Sequence, residues 1–166
     1  MPDSNEVRRR CREMLNKEEV GANVSGIRLT DVEGQEVSLS AFTGSVLVLS
    51  GGGQPAMEEC RKWGAALARE CAAKGFEFRE VVFLKGLPPF IPKSFIAGKI
   101  RSESKAQGAT PPLLDWNGVA EKALGVADSS QAHIYVVDKD GVLRYRLWGK
   151  YSDEALEEVM NLAGSL

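Results

Sequence analysis

The sequence is poor in the residues that most often carry chemistry. Of its 166 residues one is histidine, His133, and three are cysteines, Cys11, Cys60 and Cys71. A lone imidazole leaves no second histidine ligand for a metal, and the cysteines form neither a zinc pattern nor a disulfide framework. No metal and no cofactor are expected. A Ser-His-Asp triad would need a nucleophile elbow, and no Gly-x-Ser-x-Gly occurs. Strong charge is missing too: 21 basic against 23 acidic residues leave −2, so no field draws nucleic acid to the protein. The one basic run, Arg8-Arg9-Arg10 with Arg12, is followed by Glu13, Glu18 and Glu19 and reads as a solvated helix face. No apolar run approaches the ~18 residues that span a bilayer. The polar N-terminus shows no secretory signal, so the expected address is cytoplasmic, with the mature form of an exported protein as the alternative.

What is present suits one globular domain, with 43% hydrophobic and 27% charged residues. Val7, Cys11, Met14 and Leu15 fall at helical spacing and predict an amphipathic helix from Asn5 to Glu19. Residues 1–22 are therefore read as a helical extension and 23–166 as the domain proper. "IRLTDVEGQEVSL" alternates Ile27, Leu29, Val37 and Leu39 about a Glu-Gly turn and reads as a hairpin. Val46–Leu49 is a short apolar run, as expected of a central strand covered on both faces. A helix follows from Pro55 to Lys74, with Met57, Cys60, Gly64, Leu67 and Cys71 on one stripe and Gly75 as its stop. "FEFREVVFL" reads as a second buried strand, and residues 93–109 carry a weak helical pattern. "AHIYVVDKDGVLRYRLWG" predicts a hairpin, and Ser152 caps a final helix. This order points to an α/β sandwich.

Three phrases give the order a family likeness. "DVEGQEVSLSAFTGSVLVLS", "PPLLDWNGVAEKALGV" and "AHIYVVDKDGVLRYRLWG" resemble the thioredoxin-like fold in its redoxin branch, which includes peroxiredoxins and thiol–disulfide oxidoreductases. The resemblance implies a three-layer α/β sandwich with a mixed central sheet, here with an extra N-terminal helix. "SSQAHIYVVDKDG" and "SDEALEEVMNLAGSL" are similar to YtfJ-type proteins, a narrower group that lacks the redox cysteine pair.

The family's chemistry needs an exposed thiolate at a helix N-terminus and a second thiol to resolve the mixed disulfide. With Cys60 at the resolving position, Met57 stands where the attacking cysteine belongs, and a thioether cannot ionise. Cys60 and Cys71 are eleven residues apart on one helix. At 1.5 Å per residue they lie about 16 Å apart, against the ~7 Å limit for a disulfide. The peroxiredoxin loop is not matched either, because Met57 takes its Thr position. The family's cis-proline falls on Ala132, beside His133. A cis bond there would cost about 2.5–4 kcal/mol, so Ala132 is expected to be trans.

Two readings of Cys60 remain open. In one the chain is a catalytically degenerate binding or scaffold module with Cys60 in its core. In the other Cys60 alone serves a thiol oxidoreductase or one-cysteine peroxidase that uses an external reductant. Gly51, Gly52 and Gly53 precede a helix start and could present backbone N–H groups to an anion, or simply form a flexible connection. "GLPPFIPKSF" displays Leu87, Phe90, Ile91 and Phe95 among prolines. Such a stiff apolar loop suits a protein partner or folds over its own sheet edge. Trp63, Trp116 and Trp148 could mark the same kind of surface.

Overall fold

The computed structural model describes residues 15–126 and 128–166. Its strands are β1 (Asn16–Glu19), β2 (Arg28–Thr30), β3 (Glu36–Ser38), β4 (Leu47–Gly52), β5 (Glu77–Phe83), β6 (Leu113–Asp115), β7 (His133–Val137) and β8 (Leu143–Trp148). The helices are α1 (Met57–Lys74), α2 (Lys93–Ala106), α3 (Val119–Ala123) and α4 (Asp153–Gly164). All eight strands form one mixed sheet in the order β1-β8-β7-β4-β5-β6-β2-β3. At its centre β4 runs parallel to β5 and antiparallel to β7.

Alternation along β4 assigns its two faces. Val46 and Val48 turn toward α1 and α4, where they join Ile134, Val136, Trp63, Leu67 and Val159. Leu47 and Leu49 turn the other way, onto Tyr135, Val137, Val81 and Phe83, and are covered by Leu124 from the end of α3 and by Leu29 of β2. A third cluster, built on Leu84 and Leu114, receives Ile96 and Ile100 from α2.

Local signals set the boundaries. Gly75 ends α1 at φ 75°, its N–H reaching the Cys71 carbonyl, in the left-handed conformation that glycine adopts without strain. Ser152 Oγ accepts from the Ala155 N–H at 3.0 Å and opens α4. The β7–β8 turn is tied down by Asp138. Its Oδ1 accepts from the Val142 and Asp140 N–H groups at 3.0 and 2.9 Å, and its Oδ2 from Arg144 Nε at 2.7 Å.

Three expectations need correction. Asn16–Glu19 is not the end of a helix: it is edge strand β1, paired antiparallel with β8 from Asn16↔Trp148 to Glu19↔Tyr145. The rest of the expected N-terminal helix, with Cys11, lies outside the described residues apart from Leu15. Gly51 and Gly52 are not connection but the buried last residues of β4. Trp63 is no contact surface, being fully buried, with its indole N–H donated to the Gly149 carbonyl at 3.3 Å.

Candidate functional site

At the carboxyl end of β4 the chain passes through Gly53, makes one 3-10 turn over Gln54–Ala56, and enters α1. Helix starts are where a reactive thiolate is stabilised, and the residues leading into this one, Gly53, Gln54, Pro55 and Ala56, carry no thiol. Gly53 faces the loop before β7. Its N–H donates to the Ser129 carbonyl at 2.7 Å, and a Cβ on it would lie 3.1 Å from Ser129 Oγ. Ala56 and Ala132 both belong to the buried cluster beneath this turn. The bond before Ala132 is trans, as are all peptide bonds between described residues.

Cys60 lies one turn further along α1. It is 8% exposed, and burial, with the Glu80 and Glu59 carboxylates beside it, pushes its thiol up to about 12. A thiol so placed is protonated at neutral pH and is a poor nucleophile. Cys71 is fully buried on the same stripe and is likewise pushed up to about 12, by burial first and then by Glu70. Met57 is half-buried at the first position of α1, in contact with the same core. His133 is separated from this group. Tyr135, two residues on, joins the core on the opposite face of the sheet, and the His133 ring stacks on it at 6.2 Å. Its Nδ1 lies 3.0 Å from the Gln131 carbonyl, and burial lowers its pKa.

The glycine run offers few free donors. Besides Gly53, the N–H of Ala56 is bonded to the Gly53 carbonyl and that of Met57 to the Gln54 carbonyl; Pro55 has none. Gly52 serves packing, since a Cβ there would sit 2.6 Å from Cys60 Sγ and 2.9 Å from Ala56 Cβ.

A cavity of about 830 Å³ opens between the first turns of α1, the end of β5, the proline-rich loop and α2. It unites two regions the sequence presents separately: Gly53, Met57 and Cys60 on one side, Leu87, Ile91 and Phe95 on the other. Phe90 is not part of it and stands 82% exposed at the loop tip; Phe95 keeps 68% of its surface in solvent.

Two residues of this site escaped the reading of the sequence. Glu80, on β5, follows Phe76 and Phe78 and precedes Val82 on the helix-facing side of the strand. Burial raises its pKa, and among the described residues no group hydrogen-bonds to its carboxyl. Gly64 makes room for it, because a Cβ there would collide with Glu80 Oε1. Ser50, the Cα partner of Glu80 on β4, is 1% exposed, and its Oγ has no hydrogen-bond partner. The available signal was an acidic residue interrupting an inward-facing row, together with a glycine inside a helix.

No family model and no curated protein matches the chain. Solved structures do. A DsbF homologue from Corynebacterium diphtheriae aligns over 87% of this chain and 91% of its own, at 19% identity and TM-score 0.63. The secreted thiol-disulfide isomerase from Corynebacterium glutamicum aligns over 89% of each chain, at 17% identity and TM-score 0.64. The fold is thioredoxin-like. BsSco, a member of the Sco family of cytochrome c oxidase assembly proteins, is also similar, at 13% identity and TM-score 0.62 over 92% of this chain and 96% of that one. Identities this low speak for fold alone. Against that frame, no Cys-x-x-Cys pair occurs anywhere in the sequence. No described helix is long and apolar enough to cross a membrane.

Proposed function

We propose that this chain is a degenerate thioredoxin-like domain that acts as a binding module, with its ligand face at the former redox end of the sheet. The observation that carries the proposal is the pair Gly53 and Ala56 at the opening turn of α1, with the nearest cysteine buried one turn beyond. Removing both thiols removes nucleophile and resolving group together, so neither half of a disulfide exchange can run. The large cavity beside this turn supports binding, because its size falls within the ~300–1,000 Å³ usual for small-ligand sites. The resemblance of "SSQAHIYVVDKDG" to YtfJ-type proteins fits the same reading, since that group also lacks the cysteine pair.

A coupled assay tests it. The full chain is given a disulfide substrate (insulin) with dithiothreitol, and separately hydrogen peroxide with the same reductant. The expected rates equal those of the Cys60→Ser variant and of reductant alone. Turnover that disappears in Cys60→Ser would establish the one-cysteine enzyme instead.

A further inference from the structure

The cavity has a floor and walls of different chemistry. Val82, Leu84, Leu87, Ile91, Ile96 and Ile100 give its walls an apolar stretch, with polar residues such as Gln54 and Gln107 among them. Its floor is made of Ser50, Cys60 and Glu80, drawn from β4, α1 and β5. Ser50 and Glu80 are side by side on adjacent parallel strands, and Glu80 lies within electrostatic reach of the Cys60 thiol. The Ser50 hydroxyl is buried without a partner, although buried polar groups are nearly always hydrogen-bonded. The Glu80 carboxyl has neither a salt bridge nor a hydrogen bond among the described residues, and burial raises its pKa with no cation to oppose it. The remaining charged residues lining the cavity are Arg61, Lys99 and Glu103. All three are exposed, and Arg61 lies 4.0 Å from Glu103.

We propose that this cavity binds an apolar primary amine. The ammonium would sit against the Glu80 carboxylate, above Ser50 and Cys60, and the hydrocarbon body along Leu87, Ile91, Ile96 and Ile100. The inference rests on the binding-module reading above and adds a ligand class to it. An ammonium presents three N–H donors and no acceptor. The floor offers the Glu80 carboxylate as acceptor and no fixed cation, so an ammonium supplies both donors and the missing counter-charge. A charge-assisted bond is stronger in such a low-dielectric setting than at the surface. An alcohol would leave the carboxylate without a counter-charge, and a carboxylate ligand would meet a like charge. Gly64 contributes by absence: any side chain there would push the Glu80 carboxyl off the floor.

The test titrates the full chain with n-hexylamine, hexanol and hexanoate by calorimetry, with amide NMR spectra locating the site and confirming that each variant is folded. Hexylamine is expected to bind one per chain, at least about tenfold tighter than hexanol, and hexanoate not to bind. Glu80→Gln keeps the shape of the floor and removes its charge. It should weaken hexylamine by about tenfold or more while moving hexanol less than about threefold. Ile96→Trp, which fills the cavity from its wall, should abolish both. Equal affinity for amine and alcohol would overturn the inference, as would hexylamine binding that Glu80→Gln leaves unchanged, or no hexylamine binding. Hexanol binding without amine preference would still leave the binding module standing; thiol turnover in the coupled assay would remove that reading itself.

Discussion

If the opening turn of α1 is a dithiol site without its thiols, restoring them should produce a disulfide. The double variant Gly53→Cys/Ala56→Cys tests this directly. The two positions span a 3-10 turn, in which residues i and i+3 eclipse and each residue rises about 2.0 Å, so their Cα atoms are about 6 Å apart. That is inside the ~4.4–6.8 Å range of natural disulfides. Gly53 has φ −86° and ψ −176°, an extended conformation open to any residue, so cysteine brings no backbone strain. Its Cβ would crowd Ser129, 3.1 Å from both the carbonyl oxygen and Oγ, at a cost of about 1 kcal/mol. Closing a four-residue loop is worth about 2 kcal/mol in the chain-entropy model. That crowding is common to both redox forms, so the oxidised variant should be more stable than its reduced form by about 2 kcal/mol. Thiol counting by mass spectrometry with and without reductant, and urea unfolding of both forms, give the measurement. A folded double variant whose two new thiols stay unpaired under oxidising conditions would refute the placement of the site. The control pair Met57→Cys with native Cys60 should form no disulfide, because Cys60 Sγ is packed against Gly52.

Three further predictions concern Glu80 and two glycines, Gly52 and Gly64. Burial holds the Glu80 carboxyl above its usual range, so the folded chain keeps a proton that the unfolded chain releases. Stability should fall as pH rises from the ordinary carboxylate value through the raised folded one, and Glu80→Gln should remove that part of the slope. Thermal unfolding of both proteins across this window checks it: the variant should gain on wild type as pH rises, and a constant or shrinking difference would contradict the assignment. Gly52→Ala should destabilise by about 1–3 kcal/mol, since its Cβ meets Cys60 Sγ and Ala56 Cβ in a closed core. Gly64→Ala meets only the end of the Glu80 side chain, which can swing away, so it should cost less in denaturant unfolding.

Much of this fold was legible because its central elements obey simple periodicities. β4 opens on the apolar run Leu47–Leu49, β5 closes on Val81–Phe83, α1 carries its core stripe at steps of three and four, and the β7–β8 turn announces itself with Lys-Asp-Gly. Edge strand β1 was hidden for a physical reason. All four of its residues, Asn16 to Glu19, are exposed, so no alternation marks them, and only backbone pairing with β8 makes them a strand. In α2 the helical pattern around Phe95, Ile96 and Ile100 was visible, but its inward face uses the two isoleucines and leaves Phe95 in solvent. Cys60 stands out in the sequence as the one cysteine near the helix start, but its burial one turn into α1 depends on packing against Gly52, which spacing alone does not show. Glu80 was passed over in a strand that also carries Glu77 and Arg79, where one more charge does not stand out. Its meaning depends on Gly64 and Ser50, which chain folding brings to it.

The central claim is that Cys60 belongs to the core of a thioredoxin-like frame that no longer does thiol chemistry. Iodoacetamide labelling of the native protein against pH, with peptide mapping to separate Cys60 from Cys11 and Cys71, tests this most directly. Burial that pushes the thiol up to about 12 predicts negligible labelling through pH ~8.5, where a free thiol is half ionised, and full labelling only after denaturation. Rapid native labelling with an inflection well below ~8.5 would mean an exposed, activated thiolate and would contradict the account.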